Sequence, residues 1–287
     1  MNNDENRFIR FDWAVKRMLR DKANFGVLEG LMTVLIGEEI KIVEILESES
    51  NREDEQDKFN RVDIKAKNSK GEIIIVEVQQ TSELFYLERI LYGVSRSITE
   101  HIHLGDEYSN VKKIYSINIL YFDLGKGKDY LYHGTTTFKG VHTGDELEIT
   151  TMDRKALCIR TPKEIFPEYY LIRVNEFNDV ARTPLEEWLD YLKSGHIKED
   201  TKTPGLQEAR KKLQYLKMSR EERQAYIRHI DNIRYQHSVF AAAHLEGWQE
   251  GETKNRHDIA RQLKADGMPT EQIAKYTKLT PDEIEKL

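Results

Sequence analysis

The chain has 287 residues, which predicts one large domain or two modest ones. With 39% hydrophobic and 33% charged residues it can build a core, which excludes general disorder. The formal net charge of −6 provides no overall basic field for nucleic acid, so any DNA contact must come from a local patch. The single cysteine excludes an internal disulfide and a cysteine-rich zinc site. Without a long apolar run or a signal-peptide core, the sequence predicts a soluble protein of a reducing compartment.

Helix and strand signals alternate in the first two thirds of the chain. The predicted elements are, in order, a short amphipathic helix around Trp13 and Lys16, an apolar helix at 27–36 ending at Gly37, strands between 40 and 79, a long helix opened by Ser82, a strand at 113–124 on the far side of the same sheet, and further strands between 130 and 174. This order predicts a mixed α/β core.

The remainder of the chain is predicted to be helical. Three helix starts carry a reciprocal capping signal, namely Thr183 with Glu186, Ser219 with Glu222, and Thr280 with Glu283. His229, His237 and His244 are spaced as one helix stripe, which favours packing over metal binding. The turn signals after residue 257 predict a small helix-turn-helix-like tail, although its acidic final helix argues against DNA reading.

A predicted β-hairpin carries the most informative residues. Asn68, followed three positions later by Gly71, suits a type I turn with glycine at the left-handed bulge position. This loop sets Asn68 opposite Glu72, and therefore Asp63 directly opposite Glu77. Opposed residues of an antiparallel pair share one face of the sheet. A two-residue loop would instead place the two acids on opposite faces.

Two carboxylates this close repel each other unless a cation neutralises them. Mg²⁺ or Mn²⁺ is the natural occupant because both prefer oxygen ligands, and such an ion activates water against a phosphodiester. Gln79 lies two residues after Glu77, on the same face, where its amide can orient the attacking water. The same residues also fit a solvent-facing polar stripe, but a strand as apolar as residues 73–78 is expected to be buried.

The hairpin and its surroundings resemble the PD-(D/E)XK nuclease superfamily, and within it the recombination-promoting nuclease and transposase family. The matching blocks, in chain order, are Phe11 to Lys16 (D-x-x-(F/V)-K), Val62 to Ile64 with Val76 to Gln80 (D…E-x-Q), Tyr86 to Tyr92 (Y-x-x-R-x-x-Y), Gly105 to Tyr108 with the following strand, and Gly267 to Ala274. The ordered set is more specific than any single block.

The resemblance implies a restriction-endonuclease-like fold, a mixed β-sheet core flanked by helices and followed by a C-terminal helical region. The predicted domains are a nuclease-like core at 1–182, a helical extension at 183–256 and the tail at 257–287. The implied activity is a divalent-metal-dependent DNA endonuclease, with Mg²⁺ or Mn²⁺ as cofactor, promoting recombination or transposition. Asp63, Glu77 and Gln79 are the implied catalytic residues, Asp63 and Glu77 the metal ligands, and Glu29 a third candidate ligand.

Further expectations concern the substrate and partners. The predicted DNA-binding residues are Arg89, Tyr86 and Lys16, and the predicted site of action is the bacterial cytoplasm at the nucleoid. An apolar stripe from Phe240 to Trp248 predicts a homodimer through C-terminal helices. We expect neither a membrane nor a small-molecule cofactor. The alternative is a catalytically inactive nuclease-fold module that binds DNA or protein, because Gln79 stands where the wider superfamily has lysine.

Overall fold

The computed structural model describes residues 8–17, 25–46, 61–102, 105–153, 156–214 and 217–287, and within these ranges it leaves out the side chains of 15–17, 61–63, 151–153 and 156. The chain divides into two compact units, Met1–Asp231 and Asn232–Leu287. The division falls within the predicted helical extension. None of the described helices is long and apolar enough to cross a membrane.

The elements follow the predicted alternation, and the mixed α/β class is confirmed. The helices are α1 (Phe11–Arg17), α2 (Phe25–Ile36), α3 (Tyr86–Glu100), α4 (Pro184–Ser194), α5 (Leu206–Lys212), α6 (Arg220–Ala265), α7 (Thr270–Thr277) and α8 (Pro281–Glu285). The strands are β1 (Ile42–Leu46), β2 (Arg61–Asn68), β3 (Ile73–Gln79), β4 (Ile114–Leu120), β5 (Leu131–Gly134), β6 (Ile149–Asp153), β7 (Ala156–Arg160) and β8 (Glu168–Arg173).

Six of the described strands form one mixed sheet in the order β1-β2-β3-β4-β8-β5. The pairs β1–β2 and β2–β3 are antiparallel, whereas β3–β4 and β4–β8 are parallel. The sequence predicted β4 on the far side of the sheet, and this is wrong. Helix α3 connects β3 to a parallel neighbour, as such crossovers usually do, so β4 lies in the middle and all of its residues are buried.

Both faces of the sheet are covered. Even-numbered residues of β3, such as Val76, pack into the main core with Leu28 of α2 and Trp188 of α4. Odd-numbered residues face α3, where Ile73 contacts Val94. Because β3 is buried on both faces, its polar residues Glu77 and Gln79 are buried as well.

The hairpin between β2 and β3 has the predicted register. Asp63 is the Cα partner of Glu77, and Arg61 is the partner of Gln79. In the turn, the Gly71 amide donates to the Asn68 carbonyl at 2.9 Å, and Gly71 adopts a φ of +81°. The glycine therefore supplies the left-handed conformation on which the predicted pairing depends.

Most helix starts agree with their capping signals. Thr183, Ser219 and Thr280 each exchange the two predicted hydrogen bonds with the glutamate three residues later. The prediction that Ser82 opens α3 is wrong. Helix α3 begins only at Tyr86, because Phe85 takes a left-handed conformation with a φ of 59°.

The C-terminal unit has a small core of its own. Helix α6 runs without interruption across residue 231, and its last turns pack with α7 and α8 around Ala260, Ile273, Leu279 and Ile284. This arrangement has the helical composition predicted for the tail.

Candidate active site

A buried polar cluster lies under α3, on the face of β3 that carries Glu77 and Gln79. Glu77 is 8% exposed and Gln79 is 3% exposed. The antiparallel register sets Asp63 opposite Glu77, which is the predicted pairing of the two acids. The side chain of Asp63 lies outside the described part of the structure. The residues predicted to carry the chemistry are therefore neighbours in the backbone ladder.

Arg89 of α3 brings a positive charge to this cluster. Its guanidinium forms an ion pair with Oε1 of Glu77, and its Nη1 donates to Oε2 of Glu83 at 2.6 Å. The amide Nε2 of Gln79 donates to the Thr81 carbonyl at 3.2 Å and lies 3.5 Å from Glu83 Oε2. One guanidinium thus contacts two carboxylates and partly neutralises both of them.

A hydrogen bond between Asn118 and Tyr86, which the sequence did not predict, supports this arrangement. Asn118 of β4 is the Cα partner of Glu77 and is 1% exposed. Its Oδ1 accepts a hydrogen bond from the Tyr86 hydroxyl at 3.3 Å, which ties α3 to the sheet. A polar residue within the apolar sequence Ile-Tyr-Ser-Ile-Asn-Ile-Leu was the signal available for Asn118.

The donor set suits a divalent cation. Oε1 of Gln79 is buried and has no hydrogen-bond partner among the described residues. The carboxylate of Glu77 is an oxygen ligand of the kind that Mg²⁺ and Mn²⁺ prefer, and the free amide oxygen can accept a hydrogen bond from a water molecule. The described side chains contain no cluster of three His, Cys, Asp or Glu residues placed to hold a metal, but Asp63 is outside that set. The described donors therefore fit an ion that prefers oxygen ligands, with Glu77 as its carboxylate.

Glu29, the predicted third metal ligand, lies away from Asp63 and Glu77 and bonds to β1. Oε1 of Glu29 accepts a hydrogen bond from the Ile42 amide at 2.8 Å, and Ile42 pairs with Asn68 at the turn end of the hairpin. Asp63 precedes Asn68 by five residues in β2, so Glu29 lies at the opposite end of the hairpin and its placement argues against a role as third ligand.

The predicted DNA contacts differ in their accessibility. Tyr86 is 2% exposed and packs in the core, with the Arg89 guanidinium 5.4 Å from its ring, so it supports Arg89 rather than reaching a ligand. Tyr86 is on the face of α3 that packs against the sheet, which is why it is buried and not available to DNA as predicted. Lys16 belongs to α1, but its side chain lies outside the described residues.

A mixed sheet with Asp63 and Glu77 in register on an antiparallel hairpin, covered by a helix that carries Arg89, is consistent with a nuclease-type fold. The chain belongs to the PD-(D/E)XK nuclease family transposases, whose family model matches residues 9–243. No match was found among curated proteins or among solved structures. Membership supports a nuclease-type enzyme in general, and enzymes of the PD-(D/E)XK class generally use divalent metals.

Proposed function

We propose that the protein is a divalent-metal-dependent DNA endonuclease that hydrolyses phosphodiester bonds in recombination or transposition. The observation that carries the proposal is the register of the hairpin, in which Asp63 pairs with Glu77 two residues before Gln79. Membership of the transposase family supports DNA as the substrate. We place this activity in the bacterial cytoplasm, at the nucleoid.

Asp63 and Glu77 are the proposed ligands of Mg²⁺ or Mn²⁺. Such an ion, when bound, polarises the phosphodiester, activates a water molecule and stabilises the leaving oxygen. Asp63 and Glu77 compensate its charge, and burial of Glu77 strengthens that interaction because little water competes. Two carboxylates leave coordination positions for water and for a phosphate oxygen.

Gln79 and Arg89 have complementary proposed roles. The amide nitrogen of Gln79 already donates to the Thr81 carbonyl, so its buried Oε1 is the atom that remains to accept a hydrogen bond from a water molecule and orient it. With a cation held at Glu77, Arg89 would share that carboxylate with the ion. Its forked N–H donors would then be available to a phosphate, the geometry in which arginine binds phosphate most strongly.

Plasmid nicking tests the proposal. In Mg²⁺ or Mn²⁺ we expect the wild-type protein to nick supercoiled plasmid, and Asp63→Asn and Glu77→Gln to lower the rate by about 100-fold or more because each removes a charged ligand. Glu44→Gln is the matched control, since it makes the same change at an exposed position of β1. Equal nicking by Glu77→Gln and Glu44→Gln would contradict the site assignment.

One observation favours the alternative of a non-catalytic module. Arg89 already neutralises Glu77, as a cation would, so the fold is electrostatically satisfied without an ion. In that case DNA or protein binding by the nuclease fold would be the whole function. Calorimetric titration with Mn²⁺ separates the two proposals, because only the endonuclease requires saturable binding that Glu77→Gln abolishes.

We also propose that the protein acts as a homodimer through α6. Phe240, Leu245 and Trp248 are large apolar residues that are 49%, 54% and 60% exposed. With His244 they lie within one broad face of the helix, the pattern of a helix that packs against a partner helix. Two copies would supply two sites, one for each strand of a duplex.

A further inference from the structure

The loop that precedes α3 exposes two large apolar side chains. Leu84 is 84% exposed and Phe85 is 74% exposed, and we call these two residues the apolar tip. Exposure of one such residue needs no explanation, but two adjacent ones at the end of a loop form a projecting hydrophobic surface.

The backbone of the apolar tip is strained as well. Phe85 has a φ of 59° and a ψ of 33°, and in the described residues the only other non-glycine residue with positive φ is Lys278. A bulky side chain in this left-handed region is a conformational outlier, and such outliers concentrate at functional sites. In the free protein no packing contact among the described residues offsets this strain, because the side chain of Phe85 is 74% exposed.

The apolar tip is connected to the candidate active site. Glu83, its immediate neighbour, bonds Nη1 of Arg89 at 2.6 Å, and Gln79 donates to the carbonyl of Thr81 in the same loop. The loop that ends in Leu84 and Phe85 is therefore hydrogen-bonded directly to both Gln79 and Arg89.

We infer that the apolar tip binds nucleobases, inserting beside the scissile phosphate where the bases of the DNA are unstacked. Leucine and phenylalanine are among the side chains that enter distorted base steps, and an aromatic ring stacks on any base without sequence preference. The inference rests on the proposed function, because it takes DNA as the substrate of Glu77 and Arg89. It adds that the preferred substrate is a duplex with locally unpaired or distorted bases.

A second copy of the chain is the competing occupant of this surface. The connection of the apolar tip to Gln79 and Arg89 favours DNA, since a protein chain held there would adjoin the residues proposed to contact phosphate. The two occupants predict different results for the same substitution.

The test compares two labelled 20-base-pair duplexes by fluorescence anisotropy in EDTA, where no metal-dependent cleavage occurs. One duplex is fully paired and the other has a central two-base mismatch. The wild-type protein is expected to bind the mismatched duplex more tightly. Phe85→Gly should weaken that binding by about 10-fold, the loss expected for one stacked base, while Phe85→Trp should stay within about 2-fold.

Phe85→Gly also separates binding from folding. Glycine relieves the left-handed strain, so the melting temperature should rise by about 2–4 °C while affinity falls. A merely structural role of the ring would lower both. Leu84→Ser provides a second variant whose backbone is not strained, and it too should lose preference for the mismatched duplex.

Two outcomes overturn the inference. One is equal affinity of wild-type protein, Phe85→Gly and Leu84→Ser for the mismatched duplex. The other is a shift of Phe85→Gly from dimer to monomer in sedimentation, which would assign the apolar tip to a second copy. The two proposals can fail separately. If Glu77→Gln abolishes plasmid nicking but Phe85→Gly leaves DNA binding unchanged, this inference is refuted and the proposed function stands.

Discussion

Asp12 shows how a single buried residue joins distant parts of the chain. It is 1% exposed, and its carboxylate contacts Nε of Arg10 at 3.2 Å, Nε2 of Gln80 at 3.0 Å and Nε2 of His229 at 3.2 Å. Gln80 directly follows Gln79 but faces the other side of β3. The network therefore anchors the end of the strand from which Gln79 projects.

The charge of Asp12 predicts a pH-dependent contribution to stability. Burial opposes its ionisation, but the hydrogen bond from His229 and the charge of Arg10 outweigh this and hold the pKa of Asp12 below its ordinary value of 3.8. A carboxyl with a lowered pKa stabilises the folded state above the unfolded pKa, and this stability is lost as the pH falls through the folded pKa. Asp12→Asn should cost about 3–5 kcal/mol at pH 7, since it leaves the guanidinium of Arg10 without its carboxylate partner.

Urea unfolding of wild-type protein and Asp12→Asn, followed from pH 7 to pH 3, checks this. The difference in unfolding free energy should be constant down to about pH 4 and shrink below it. A difference that is unchanged at pH 3 would show that the Asp12 charge is not the source of the stability.

At the scale of elements, the β2–β3 hairpin depends on one turn. Gly71 has a φ of +81°, and a Cβ built there meets no atom within 4 Å, so only the backbone conformation demands glycine. Gly93 in α3 also has open space around it but has helical backbone geometry. Substitution of alanine for glycine at these two positions therefore compares a left-handed backbone with a helical one, without steric differences.

Gly71→Ala should destabilise the protein by about 1–2 kcal/mol, because alanine disfavours the left-handed region. Gly93→Ala should stabilise it by about 0.5–1 kcal/mol, because alanine is the better helix residue. Denaturant unfolding of the two variants measures both values. If both substitutions changed stability in the same direction, the turn would not be the element that fixes the register.

The hairpin and the helix caps could be predicted because local chemistry determines them. The turn at Gly71 fixes the pairing of Asp63 with Glu77, and a Thr or Ser three residues before Glu fixes a helix start. Contacts between elements could not be predicted in this way. The ion pair of Arg89 with Glu77, the burial of Tyr86 and the hydrogen bond of Glu29 to β1 depend on how α2 and α3 pack on the sheet. Sequence periodicity identifies a helix face but not its partner.

At the scale of the whole molecule, the family match and the structural units divide the chain differently. The match ends at residue 243, within α6, whereas the C-terminal unit begins at Asn232. The first part of that unit therefore belongs to the family pattern. The exposed stripe proposed for dimerisation lies around this boundary of the match, at residues 240–248.

The dimer proposal predicts that a charge in this stripe disrupts self-association. Trp248→Lys should weaken the dimer by at least about 10-fold, because lysine replaces a large apolar contact with a charge. Thr253→Lys is the matched control, since Thr253 is exposed on the opposite face of the same helix. Sedimentation velocity measures both variants. A wild-type protein that is monomeric at all concentrations would contradict the proposal.

The contact between Asp12 and His229 joins residues 217 positions apart. It cannot form until a ribosome has synthesised most of the chain, although the hairpin with Asp63 and Glu77 emerges much earlier. During synthesis Asp12 can contact Gln80 long before it can contact His229. A nascent chain therefore acquires the complete network around Asp12 only when translation is nearly finished.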